Sequence, residues 1–198
     1  MKQLALAFLI LACASSVEAG TISLVGDKDC FGLGGACPDG TRWVTDLGGS
    51  FWSSYQGPGD PLFTDKWSAD ISPTYTHTYA LGTAVSATLM IRTAGLADFR
   101  GPWDVFFNGV VVGQFATGTG PDSYQEVLTH SFVIPIGLLT GSDTVILAIN
   151  TPSVTDGYSI DYSELTINTT TSVPDPGSTL LLLGMGVVGL AAWRKRRV

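Results

Sequence analysis

The chain has 198 residues, 17 of them acidic and 10 basic, for a formal net charge of −7. Four of the basic residues form the terminal run Arg194-Lys195-Arg196-Arg197, so the rest of the chain is more acidic than the whole. A body of that sign repels phosphate backbones and argues against nucleic acid as a partner. Two histidines and no C-x-x-C spacing argue equally against zinc.

The N-terminus reads as an export signal. Met1-Lys2-Gln3 carries one positive charge, Leu4 to Ala12 is an unbroken apolar run, and Val17-Glu18-Ala19 places small residues before a cut at Gly20. This order predicts a signal peptide over residues 1–19, handled by the Sec machinery and signal peptidase. A buried core helix is the competing reading. Ile10-Leu11-Ala12-Cys13 loosely resembles a lipoprotein cleavage box, but the apolar run ahead of Cys13 is very short. With both ends removed, about 150 residues remain, enough for one hydrophobic core.

Cys30 and Cys37 remain after export as an even pair in an oxidising compartment. Three glycines lie between them, so the segment can bend back, and a disulfide is expected. The chain then reads as β throughout. Expected strands are Thr21–Val25, Thr41–Asp46, Phe51–Tyr55, Thr74–Ala80, Ser86–Thr93, Asp104–Asn108, Val110–Ala116, Gln125–Ile134, Thr144–Asn150 and Tyr158–Ile167. Several alternate polar with apolar residues, the pattern of a strand with one face on the core. Asn108-Gly109 lies between an aromatic and a β-branched run, and Asn-Gly tolerates the positive φ angles of a type I′ turn, so a hairpin is predicted there. No long helical periodicity interrupts the series. The expectation is an all-β domain over residues 20–167, a β-sandwich of jelly-roll type. Residues 168–172, Asn-Thr-Thr-Thr-Ser, follow as a polar linker.

The tail, residues 173–198, has three parts in order. Val173-Pro174-Asp175-Pro176 is proline-fixed and extended. Ser178 to Trp193 is uncharged and rich in Leu, Gly, Val and Ala. As a transmembrane helix it would be about 24 Å long at ~1.5 Å per residue. That is short of a ~30 Å hydrocarbon core, a mismatch that snorkelling Arg and Lys and an interfacial Trp193 relieve. The basic cluster Arg194, Lys195, Arg196 and Arg197 stops transfer and stays cytoplasmic, which leaves the body outside. This arrangement resembles the PEP-CTERM sorting domain of Gram-negative bacteria, with Pro174-Asp175-Pro176 in place of Pro-Glu-Pro. The resemblance implies recognition by an exosortase, a membrane-embedded cysteine-peptidase-like enzyme. It also implies an inner-membrane-anchored precursor that passes to the cell surface or extracellular matrix. A plainly membrane-anchored periplasmic protein is the alternative.

The body resembles exported galactose-binding-like and carbohydrate-binding-module jelly rolls. The carriers are Gly26-Asp27-Lys28-Asp29, the Asn108-Gly109 hairpin, and Asp156 to Tyr162 entering the last strand. In such folds the first and last strands often run side by side. The resemblance therefore implies that Asp27, Asp29 and Asp161, with Asp156 behind them, meet and hold Ca²⁺ through hard oxygen ligands. Turn aspartates satisfying local N–H groups are the plain alternative. Trp52, Tyr55 and Trp103 are the candidate sugar-stacking platform. Neither G-x-S-x-G nor H-E-x-x-H is present, and a non-catalytic protein is expected. Two functions follow: a matrix component that binds exopolysaccharide, or a structural surface protein with no ligand.

Overall fold

The computed structural model describes residues 18–50, 64–65, 73–96, 103–115, 123–149 and 158–170. One compact unit spans Gly20–Thr169, and a second comprises Met1–Ala19 with Thr170–Val198. The second falls almost wholly outside the described residues, and with it the expected signal peptide, sorting motif, membrane helix and basic cluster. No helix among the described residues is long and apolar enough to cross a membrane.

The first unit is all-β, as expected. Its strands are β1 (Glu18–Gly26), β2 (Thr74–Thr78), β3 (Ala84–Ala94), β4 (Trp103–Phe107), β5 (Val110–Gln114), β6 (Val127–Val133), β7 (Ser142–Ile149) and β8 (Ser159–Thr170). They form two four-stranded sheets, ordered β1-β8-β3-β6 and β2-β7-β4-β5. Strand alternation explains the layering. In β4, Trp103, Val105 and Phe107 are buried while Asp104 and Phe106 turn outward. In β2 the threonines face out, and Tyr75 and His77 face in. Leu89 and Ile91 of β3, Val145 and Leu147 of β7, and Leu165 and Ile167 of β8 complete the core. Full burial of each such side chain contributes about 1.5–3 kcal/mol. A smaller cluster gathers Cys30, Phe31, Cys37 and Trp43 with Ala94 and Val127.

The Asn108-Gly109 hairpin is present, with φ of 49° and 78° at the two turn residues. Thr41–Asp46 differs from expectation. Apart from one bridge, Arg42 to Glu126, it forms turns. The Asp46 carboxylate accepts the Arg42 N–H at 2.9 Å, and the Asp46 N–H donates to the Arg42 carbonyl at 2.9 Å. A short side chain that captures local backbone competes with the sheet ladder and wins here.

Polar groups also cross the core. His77 of β2 hydrogen-bonds Ser23 of β1 through Nδ1 at 3.2 Å and Ser163 of β8 through Nε2 at 3.0 Å, joining the two sheets. Burial holds its pKa down at about 4, and His130, buried against Phe115 and bonded to Thr93, is likewise at about 4. Both lie below the ordinary 6.5, so the unfolded chain takes up protons that the native state refuses. Stability is therefore insensitive to these groups above pH 6.5 and falls as pH drops from 6.5 towards 4. A His77→Gln chain should lose about one proton of pH dependence in that window, a difference of roughly 3 kcal/mol by pH 4 at full effect. Urea denaturation of both chains across that range measures it; parallel curves would show that His77 does not titrate as the fold requires.

Candidate metal centre

The site forms where the first and last strands come alongside each other. β1 ends at Gly26, whose φ of 77° turns the chain out of the sheet. A side chain there is excluded, because a Cβ would lie 2.5 Å from the Asp161 carbonyl and 2.8 Å from Thr64 Cγ2. Asp27 and Asp29 follow in the turn. The Phe31 N–H donates to Asp161 Oδ1 at 2.8 Å, and the Gly32 N–H to Asp29 Oδ1 at 2.6 Å.

Asp161 owes its direction to a β-bulge. Along the β3–β8 ladder, Arg92 pairs Tyr162 and Thr93 pairs Ile160, so Asp161 is the unpaired extra residue. A bulge re-aims a side chain that regular alternation would point elsewhere. A fourth carboxylate arrives from an unexpected direction. Thr64 forms a parallel bridge to Ile160, and the Asp65 N–H donates to the Ile160 carbonyl at 2.8 Å. This lays Asp65, with φ of 55°, beside the bulge.

Asp27, Asp29, Asp65 and Asp161 each offer an oxygen, and these oxygens all lie within 4.8 Å of one another. Asp65 and Asp161 are buried. Asp161 Oδ2 is buried with no hydrogen-bond donor among the described residues. Burial pushes the Asp161 pKa up to about 6; the Phe31 N–H opposes this, the charge of Asp29 adds to it, Arg92 opposes, and Asp27 adds. Two like charges at that separation repel by about 3 kcal/mol at an effective dielectric near 20. A divalent cation among them would attract each carboxylate and offset their mutual repulsion. The set is all oxygen and all carboxylate, which fits Ca²⁺, and an oxygen without a donor is where a cation bond would fall.

The structure thus brings Asp27, Asp29 and Asp161 together as the sequence reading expected and adds Asp65, which that reading missed. Only the Gly-, Pro- and Asp-rich segment around Asp65 hinted at a loop; its bridge to residue 160 has no local signature. Asp156 lies outside the described residues. So do Trp52 and Tyr55. Trp103 requires correction as a sugar platform: it is 1% exposed, packed edge-on against Tyr158 at 5.1 Å, because alternation in β4 points it into the core. Cys30 and Cys37 stand as buried free thiols in one small apolar cluster, and burial raises the pKa of both.

Residues 172–197 match the VPDSG-CTERM motif. The match is confined to the tail. It refines the expectation there: Val173-Pro174-Asp175 and Gly177 agree with the motif's letters, so the aspartate is in place, and Pro176 is the departure. The motif marks an exported, surface-directed chain. No curated protein matches the sequence. Among solved structures, one similar chain is BpGH86A, a β-porphyranase of glycoside hydrolase family 86 from the human gut bacterium Bacteroides plebeius. It is 18% identical over 55% of this chain and 20% of that one, with a TM-score of 0.36. Another is BuGH86wt in complex with neoagarooctaose, 11% identical over 51% of this chain and 17% of that one, with a TM-score of 0.35. The chain spans about a fifth or less of the length of either.

The charge arrangement makes a counter-intuitive mutation informative. Asp161 has a folded pKa of about 6 against 3.8 unfolded, so in metal-free protein stability is lost as pH rises from 3.8 through 6. Asp161→Asn keeps an acceptor for Phe31 and gives the neighbouring carboxylates a donor. In EGTA at mildly alkaline pH it should stabilise the fold by about 1–2 kcal/mol, part of the ~3 kcal/mol that a shift of this size represents. Denaturant melts measure this, and a destabilised Asn chain would mean the buried carboxylate is better satisfied than its surroundings indicate.

Proposed function

We propose that this chain is an exported, non-catalytic surface or matrix protein whose sandwich is locked by Ca²⁺ once it has left the cytoplasm. The observation that carries this is the gathering of four aspartates within 4.8 Å, one of them, Asp161, with a buried oxygen that has no donor among the described residues. Asp27 and Asp29 belong to the turn after β1, Asp161 to β8, and Asp65 to a segment laid against β8. One ion would therefore tie three separate stretches of chain. Oxygen-only sites of extracellular modules bind calcium at roughly 10⁻⁴–10⁻³ M, a range suited to loading outside the cell.

Delivery is assigned to the tail. An exosortase would grip the extended Val173, Pro174, Asp175 and Pro176, cut, and release the body from its membrane helix. A simple anchor has no use for a proline-stiffened segment. Exopolysaccharide is the less supported partner, since Trp103 is interior and Trp52 and Tyr55 lie outside the described residues.

Two measurements test this reading. With calcium at roughly a hundredfold over its dissociation constant, stabilisation of about 2.7 kcal/mol is expected. That should raise the melting temperature of the exported chain by about 5–10 °C over EGTA, and Asp65→Asn should abolish most of the shift. Coincident melts in calcium and EGTA dispose of the ion. Separately, surface protein from an exosortase-bearing host should lack Leu180 to Val198 by intact mass, and Pro174→Ala with Pro176→Ala should leave uncut precursor in the membrane. A full C-terminus on the surface form restores the plain-anchor reading.

A further inference from the structure

Two of the four candidate cation ligands and the two thiols belong to one short stretch of chain. Between Gly26 and Cys37, Asp27 and Asp29 supply carboxylates, and the Phe31 N–H orients a third on Asp161 at 2.8 Å. Cys30 lies between Asp29 and Phe31 in sequence, and its buried thiol shares one small apolar cluster with that of Cys37. Cys30 and Phe31 are consecutive non-glycine residues with φ of 66° and 58°, a conformation that L-residues leave when nothing holds them. What holds them here is visible. The Leu33 N–H donates to the Cys30 carbonyl at 3.2 Å, and the Gly34 N–H to the Asp29 carbonyl at 2.8 Å. Phe31 is buried with its ring 5.8 Å from that of Trp43. Arg92 Nη1 reaches Cys37 Sγ at 3.6 Å.

We propose that Cys30 and Cys37 form a redox-closable clasp on the cation site: closing the disulfide tightens cation binding, and the bound cation favours the disulfide by the same factor. The proposal rests on the calcium reading above and deepens it. Its physical basis is that both events order the same residues. A disulfide between Cys30 and Cys37 removes open conformations of the segment. Ion binding then orders less chain and is correspondingly tighter. Linkage makes the coupling reciprocal. The chemistry is a thiol–disulfide exchange with an incoming disulfide oxidant of the exported compartment. The oxidant's S–S bond breaks and the Cys30–Cys37 S–S bond forms; two electrons and two protons pass to the oxidant, which leaves as thiols. Because both sulfurs are buried, exchange takes place during folding or local opening of the segment.

The test uses the exported chain and calcium ion alone as probe. Isothermal titration calorimetry is run on oxidised protein and on protein reduced with dithiothreitol. The oxidised form is expected to bind about tenfold tighter, within the usual span of coupling between linked sites. In dithiothreitol redox buffers, with disulfide quantified by alkylation and mass, calcium should shift the thiol–disulfide equilibrium towards disulfide by that same factor. In Asp161→Asn the equilibrium should not respond to calcium. Cys30→Ser with Cys37→Ser should bind like reduced protein; if it does not fold, reduced wild type carries the comparison. Equal affinities in the two redox forms overturn the clasp and leave the calcium site standing. No calcium heat in either form overturns both.

Discussion

A carboxylate oxygen without a donor in a folded interior is the constraint that organises this protein. Burying an ionised group is unfavourable unless something compensates it. Asp161 is buried, yet one of its oxygens has no donor among the described residues, and three further carboxylates lie within 4.8 Å of its ligand atom. Gly26 clears the space, the bulge turns the side chain, and the bridge at Thr64 brings a further negative charge. Each of these local departures from regular sheet makes the repulsion worse for the protein alone. The cation proposed above would offset that repulsion.

Asp143 shows how the same fold treats a carboxylate that has only a structural task. Its Oδ1 accepts from Asn108 Nδ2 at 2.8 Å, from the Thr140 N–H at 2.9 Å and from Thr140 Oγ1 at 2.6 Å, and its Oδ2 accepts from the Tyr79 hydroxyl. Burial alone would raise its pKa, but hydrogen bonds from Thr140, Tyr79 and Asn108 outweigh burial and hold it below the usual value. Asn108 in turn accepts the Thr144 N–H, so the hub fixes the β4–β5 hairpin to β7. Two aspartates with opposite pKa shifts in one sandwich mark the difference between a carboxylate that hydrogen bonds satisfy and one that burial penalises.

The sandwich was legible from local pattern. All eight strands overlap runs expected from alternating or β-branched residues, with ends that differ by at most three positions, and the expected strand Phe51–Tyr55 lies outside the described residues. Failure came where a side chain competed with the ladder, as Asp46 does for the Arg42 N–H. The site was legible in part for a different reason. Asp27, Asp29 and Asp161 flank the first and last strands, which sheet order makes neighbours. Asp65 depends on a bridge between residues 64 and 160, and no spacing in the chain encodes a contact of that range. Trp103 was misjudged as a sugar platform because the β4 alternation that begins at Trp103 itself decides its direction, into the core.

The position of β8 has a mechanical consequence. It is hydrogen-bonded between β1 and β3, and it is the strand from which the chain continues beyond Thr170. A tension along that strand would load the ladders on both flanks together in shear rather than one bond at a time. The bulge at Asp161 lies near the far end of the same strand, where an ion would act as a rivet against sliding. A protein displayed at a cell surface meets drag from flow, and a strand paired on both sides meets such a pull with two ladders at once.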